Sequence, residues 1–164
     1  EFLEKQTEYI KETLRNSDAK WKIVTCHHSI FSPAKGRDFE YARKNWKPLF
    51  DVYGVDLVLN GHDHSYARGH VPIKSTVKGV SGNINTLYIT SVSGPKQYEI
   101  DSIQMKNYKA DGYKSDKVGE QIQFFQVIKV DDQTLTYTAY TATGNEYDKA
   151  IITKDFKTGF KTYQ

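Results

Sequence analysis

At 164 residues with a formal net charge of +3 and charges of both signs interspersed, the chain is long enough to bury one full core. It lacks the basic stripe that tracks a phosphate backbone, so nucleic acid is not the expected partner. Twelve tyrosines and moderate apolar content indicate a strand-rich folded domain, the single cysteine, Cys26, allows no internal disulfide, and no apolar run reaches membrane-span length.

Phe2, Leu3, Tyr9, Ile10 and Leu14 fall at helical spacing between charged residues, which predicts an amphipathic helix from about Glu1 to Arg15. Its start reads as the inside of a helix with no capping residue, as though the natural amino terminus lay elsewhere. Asn16 to Lys20 ends it, and Trp21 to Cys26 is a short strand running directly into His27-His28-Ser29. Ser32 to Asp38 is a loop. Asp38 is placed to cap a helix through Tyr41, Ala42, Trp46, Leu49 and Phe50, with Pro48 breaking or kinking it near its end and Gly54 closing the segment. Val55 to Leu59 is the next strand, so the order helix, strand, helix, strand predicts a parallel sheet.

The stretch Asn60-Gly61-His62-Asp63-His64-Ser65-Tyr66-Ala67-Arg68 then opens at that strand's carboxyl end, where α/β proteins place their chemistry. In an extended loop, residues two apart share a face, so His62 and His64 converge while Asp63 points away, and Gly61 lets the chain turn tightly. Loops marked by Gly69, Pro72, Gly79 and Gly82 surround a short extended piece at Val71 to Ile73. Thr86 to Val92 is a strand. Ser93 to Glu120 is too long for an ordinary connection and is expected to carry structure of its own. Ile122 to Val130 and Thr134 to Tyr140 predict a hairpin around Asp131 to Gln133, followed by a strand from Tyr147 to Thr153, so the carboxyl-terminal third is antiparallel β.

All five histidines, at 27, 28, 62, 64 and 70, lie in about one quarter of the chain, and four sit just after predicted strands. A parallel pair joined by one crossover helix brings both strand ends to one edge of the sheet, so His27 can meet His62 and His64. Neutral imidazoles so placed suit zinc, iron or nickel, against the alternative of histidines that only cap and hydrogen-bond a loop.

Val24-Thr25-Cys26-His27 and Gly61-His62-Asp63-His64, with Tyr66-Ala67-Arg68 after them, resemble the later motifs of the calcineurin-like metallophosphoesterases, and among these most closely the purple acid phosphatases. The resemblance covers Glu1 to Val92 by motif and the remainder by strand pattern. It implies an α/β fold, the later half of a four-layer α/β/β/α sandwich with an antiparallel carboxyl-terminal region, in which phosphate esters are hydrolysed at a two-metal centre of Fe, Zn or Mn. By carry-over, His27 and His62 bind one metal and His64 the other. It also implies an extracytoplasmic location, periplasmic or secreted.

The family's earlier motifs, an aspartate with a histidine, a Gly-Asp carrying the bridging carboxylate and a Gly-Asn-His, have no counterpart here. No Gly-Asp occurs, and Gly82-Asn83 and Gly144-Asn145 are followed by Ile84 and Glu146. Residues 1–164 are therefore expected to be the carboxyl-terminal portion of a single phosphoesterase domain, holding at most one metal and inactive alone. A non-catalytic binding module that kept the fold, or a mononuclear zinc protein, are the alternatives. The loop after His27 carries no further histidine, so an acidic pH optimum is not implied. That loop offers Lys35 and Arg37 as cations for a substrate phosphate, against a merely solvated loop face. His28 and Arg68 are the candidate catalytic side chains: His28 contacts substrate or else packs, and Arg68 reaches phosphate or else pairs with a buried carboxylate. Cys26 is expected to pack in the sheet and His70 to be a loop residue.

Overall fold

The computed structural model describes residues 1–73 and 84–164; the loop expected around Gly79 and Gly82 lies outside them. In chain order the elements are α1 (Phe2–Arg15), β1 (Ile23–Cys26), α2 (Glu40–Asn45), α3 (Lys47–Tyr53), β2 (Leu57–Asn60), β3 (Tyr66–Pro72), β4 (Ile84–Thr90), α4 (Ser102–Asn107), a 3-10 turn (Tyr108–Asp111), β5 (Lys114–Gly119), β6 (Phe124–Asp131), β7 (Thr134–Thr141), β8 (Glu146–Lys154) and β9 (Lys161–Tyr163).

The crossover between β1 and β2 is two helices rather than one. Trp46 is the junction, and Pro48 stands in the first turn of α3, where a residue without an N–H costs nothing. Proline therefore begins the second helix instead of ending the first. Asp38 does not cap α2, whose first flanking residue is Phe39; its carboxylate is drawn to the Arg43 guanidinium and to the Tyr108 hydroxyl, which donates at 3.0 Å. Gly54 closes α3 in the left-handed conformation, with φ of 67°.

Two sheets result. The first has the order β1-β2-β4-β3-β5, with β1, β2 and β4 parallel and β3 antiparallel to both β4 and β5. The second is the antiparallel ladder β6-β7-β8-β9. Alternation along β2 and β4 divides their side chains between two cores: Val58 and Tyr88 join Leu14, Trp46 and Phe50 beneath the helices, while Leu57, Leu87 and Ile89 join Leu135, Tyr137 and Ile152 between the sheets. The described residues thus stack as helices, sheet and sheet, three layers of the α/β/β/α sandwich.

The excursion between Ser93 and Glu120 carries α4, the 3-10 turn and β5, and its Tyr108 and Tyr113 are core residues, with Tyr113 stacked on Phe31 at 4.2 Å. His70 is no loop residue: it sits in β3, buried, with Nδ1 2.6 Å from the Asp116 carboxylate. Beside it the two sheets are tied by Asp148 of β8, which takes both Nε and Nη2 of Arg68 at 2.7 and 2.9 Å and the Tyr66 hydroxyl at 2.7 Å.

Candidate metal centre

Parallel pairing sets Cys26 opposite Asn60, so the residues that follow β1 and β2 leave the sheet at one edge. The edge is pinned. The Asn60 amide donates to the carbonyls of Cys26 and His28 at 3.0 and 3.1 Å, and its oxygen accepts from the Ile30 N–H at 3.3 Å. Gly61 N–H donates to the His27 carbonyl at 3.0 Å, Ser29 Oγ to the Gly61 carbonyl at 3.1 Å, and Thr90 Oγ of β4 to Ser29 Oγ at 3.1 Å. Three adjacent strand ends therefore fix where His27 and His62 stand.

His62 Nδ1 lies 3.2 Å from His27 Nε2, and the His28 ring is 4.2 Å from that of His62 by centroid and 5.0 Å from Phe39. The loop is not extended. His62 has φ of 64°, so the alternation expected to align His62, His64 and Arg68 is broken at its first residue. His64 is held instead by the segment after β4: its Nδ1 donates to the Lys96 carbonyl at 3.0 Å, Tyr98 N–H donates to the His64 carbonyl at 2.8 Å, and the Tyr98 ring packs 4.8 Å from the imidazole. Arg68 is engaged at Asp148, with Asp116 and Tyr163 beside it, as the ion-pair alternative requires.

Asp63, expected to point away from the histidine face, is buried, and Arg37 explains it. The Arg37 guanidinium donates Nε–H to Asp63 Oδ1 at 3.1 Å and Nη2–H to the His62 carbonyl at 3.1 Å, stands 2.5 Å from His62 Nε2, and lies over the Tyr98 ring at 4.9 Å. Burial, and then the charge of Arg37, hold His62 below the ordinary histidine pKa. Burial pushes the Cys26 thiol up to about 11, so Cys26 stays a neutral packing residue that receives the Asn60 amide. Lys35 lines, with Gly36, Arg37, Gln97, Tyr98 and Glu99, an open pocket of about 490 Å³ next to this cluster.

The structure brings His28 and Arg37 to the His27–His62 pair that the sequence reading expected to meet, and adds Asn60, Asp63, Lys96 and Tyr98, to which that reading gave no role. The alternation rule hid Asp63. Asn60, directly before Gly61, carried a usable signal, since a polar residue ending an apolar strand needs buried partners.

Two nitrogens on one zinc ion, each about 2.0–2.1 Å away in tetrahedral geometry, lie roughly 3.3 Å apart. The His27–His62 pair at 3.2 Å fits that spacing. His64, its Nδ1–H committed to a backbone carbonyl, has Nε2 in the accepting tautomer, the arrangement in which imidazoles ligate. Among the described residues no three His, Cys, Asp or Glu side chains converge to hold an ion, so the donor set fits one metal in part.

The family model described as calcineurin-like phosphoesterase matches residues 1–66. Purple acid phosphatase 3 of Arabidopsis thaliana is 35% identical over 86 residues, 52% of this chain and 21% of that protein, and purple acid phosphatase 4 is 26% identical over 153 residues, 90% and 39% respectively. A purple acid phosphatase from yellow lupin (Lupinus luteus) seeds superposes with a TM-score of 0.71 at 22% identity, over 93% of this chain and 28% of that one, which shows the fold. The chain spans well under half the length of these relatives. Over residues 1–66, which hold both histidine motifs, the chain is thus similar to the calcineurin-like phosphoesterases, and over most of its length it is similar to the purple acid phosphatases.

Proposed function

We propose that this chain supplies the histidine side of a two-metal phosphoester-hydrolysing centre. The observation that carries the reading is the 3.2 Å approach of His27 Nε2 to His62 Nδ1 at the common edge of two parallel strands. His27 and His62 hold one metal and His64 contributes to the other, with iron, zinc or manganese as the ions. When bound, such metals polarise a phosphoryl oxygen and acidify a water. The protein's own groups do the rest. Asn60 holds the β1 and β2 exits in register, and Lys96 and Tyr98 orient His64. Lys35 and Arg37 present cations to a phosphate ester at the rim, and His28 packs its ring on that of His62.

Three histidines without a bridging carboxylate favour occupancy by one metal and negligible turnover by residues 1–164 alone. The family resemblance supports an extracytoplasmic setting, and no helix among the described residues is long and apolar enough to cross a membrane. Calorimetric titration of the chain with Zn²⁺, followed by orthophosphate, tests the proposal. One ion per chain, lost in the His62→Ala variant, and phosphate uptake only after zinc are the expected results. Phosphate binding indifferent to zinc, or no zinc uptake, overturns it, and robust hydrolysis of an aryl phosphate by the chain overturns the one-metal reading.

A further inference from the structure

The edge of the first sheet opposite the histidines carries more positive charge than its partners neutralise. Lys22 and Asp56 immediately precede β1 and β2, Asn85 stands at the start of β4, Lys154 ends β8 and Lys161 begins β9. Asp56, fully buried, pairs with Lys154 and with Lys161, each at 2.9 Å, and the two lysine side chains are themselves only 12% and 3% exposed. Among the described residues no second carboxylate pairs with either, so one buried negative charge faces two positive ones. Burial, only partly offset by Asp56 and reinforced by Lys154, holds Lys161 below the ordinary lysine pKa. Lys22 adds a third cation, its Nζ donating to the Tyr53 carbonyl at 3.0 Å and to the Leu14 carbonyl at 3.5 Å. These groups wall a cavity of about 300 Å³ whose other sides include Lys20, Tyr53 and Phe156, with the exposed Asp18 as its one carboxylate among the described lining residues. Lys20 Nζ lies 4.8 Å from the centre of the Phe156 ring, which meets Trp21 edge-on at 6.1 Å.

We propose that this cavity binds a small organic carboxylate, whose head group meets the ammoniums of Lys20 and Lys22 and whose apolar body lies against Phe156 and Tyr53. Lys154 and Lys161 have their N–H groups spent on Asp56 and on the carbonyls of Lys20, Val55 and Asn85, so they supply the uncompensated charge behind the head group rather than donors to it. The volume, at the lower end for ligand pockets, suits a body of one or two rings. An inorganic anion brings charge alone, and pairing with ammoniums open to solvent is screened to little net gain, so orthophosphate is not retained here. The apolar body decides. The site is independent of the metal centre, which lies past the other ends of the same strands.

The test is a titration of the whole ¹⁵N-labelled, metal-free chain with 2-naphthoate, followed in ¹H–¹⁵N spectra. Saturable shifts at Lys20, Trp21, Tyr53 and Phe156 are expected, with a Kd of about 1 mM for a ligand of this size. Lys20 and Phe156 lie outside the helices and strands, so Lys20→Ala and Phe156→Ala are expected to fold, with Kd weakened about threefold and about tenfold. His62→Ala leaves Kd unchanged. No saturable shifts, shifts centred elsewhere, or a Kd unchanged in either cavity variant overturns the proposal. So does equal affinity for the uncharged 2-naphthylmethanol, which would remove the lysines from recognition, or orthophosphate reproducing the same shifts at the same concentration, which would remove the apolar body.

Discussion

His27 and His62, separated by 35 positions, meet with Nε2 and Nδ1 3.2 Å apart because each follows its strand by one or two residues and the strands are parallel neighbours in register. His28 contacts His62 only ring to ring, at 4.2 Å between centroids, and leans on Phe39. The two adjacent histidines should therefore separate cleanly. His27→Ala is expected to weaken zinc binding by more than the roughly 10–100-fold that loss of an orienting partner costs, while His28→Ala changes it only a few-fold. Chelator competition on the two variants checks this, and equal losses would remove the distinction between ligand and neighbour.

Asn60 should be the position where stability and metal affinity fall together. It is 9% exposed and serves Ile30, Cys26 and His28 at once. Asn60→Ala leaves those backbone groups without their partner, at about 2–4 kcal/mol in total, and releases the segment that carries His27. A lower urea midpoint together with weaker zinc uptake is expected. Lower stability with zinc affinity intact would show that the strand ends hold the histidines without it.

These residues also mark how far the sequence could be read. Both histidine motifs were legible because strand, crossover and strand is a local pattern with one favoured hand, and parallel register then does the geometry. The hairpin of β6 and β7 was legible from its alternation and turn. What was not legible depended on distant partners or on one backbone angle. The φ of His62 cancels the alternation that would have aligned His62 with His64 and Arg68 and turned Asp63 outward. Asp148 takes Arg68 from 80 residues away, and Lys96 reaches His64 from 32. Strand β9, three residues in a charged and aromatic tail, offers no periodicity at all.

Arg68 gives the sharpest contrast between a structural and a catalytic role. Its guanidinium is bound in a fork by Asp148, and both side chains are largely buried, 11% and 7% exposed. Arg68→Met strands the Asp148 carboxylate between the sheets, so destabilisation of about 3–5 kcal/mol is expected. Zinc affinity, measured at a temperature where the variant is folded, should match the parent. A stable variant that loses phosphate binding instead would place Arg68 at the substrate.

Asp116 makes the molecule sensitive to acid. Burial by itself would raise its pKa, but hydrogen bonds from His70 at 2.6 Å and Tyr163 at 2.7 Å, with the Arg68 charge nearby, hold the carboxyl below the ordinary aspartate value. The unfolded chain then binds this proton more readily than the folded one. The stability Asp116 lends is complete above the ordinary aspartate pKa, about 4, and is lost as the pH falls through the lower folded value. Asp116→Asn should cost about 1–3 kcal/mol at neutral pH, since one partner of a buried charged hydrogen-bond network is changed. It should also flatten the decline below about pH 4, because the group that took up the proton on unfolding is gone. Urea midpoints collected from pH 7 to pH 3 for both proteins check this, and parallel acid limbs would mean that other carboxylates govern the loss.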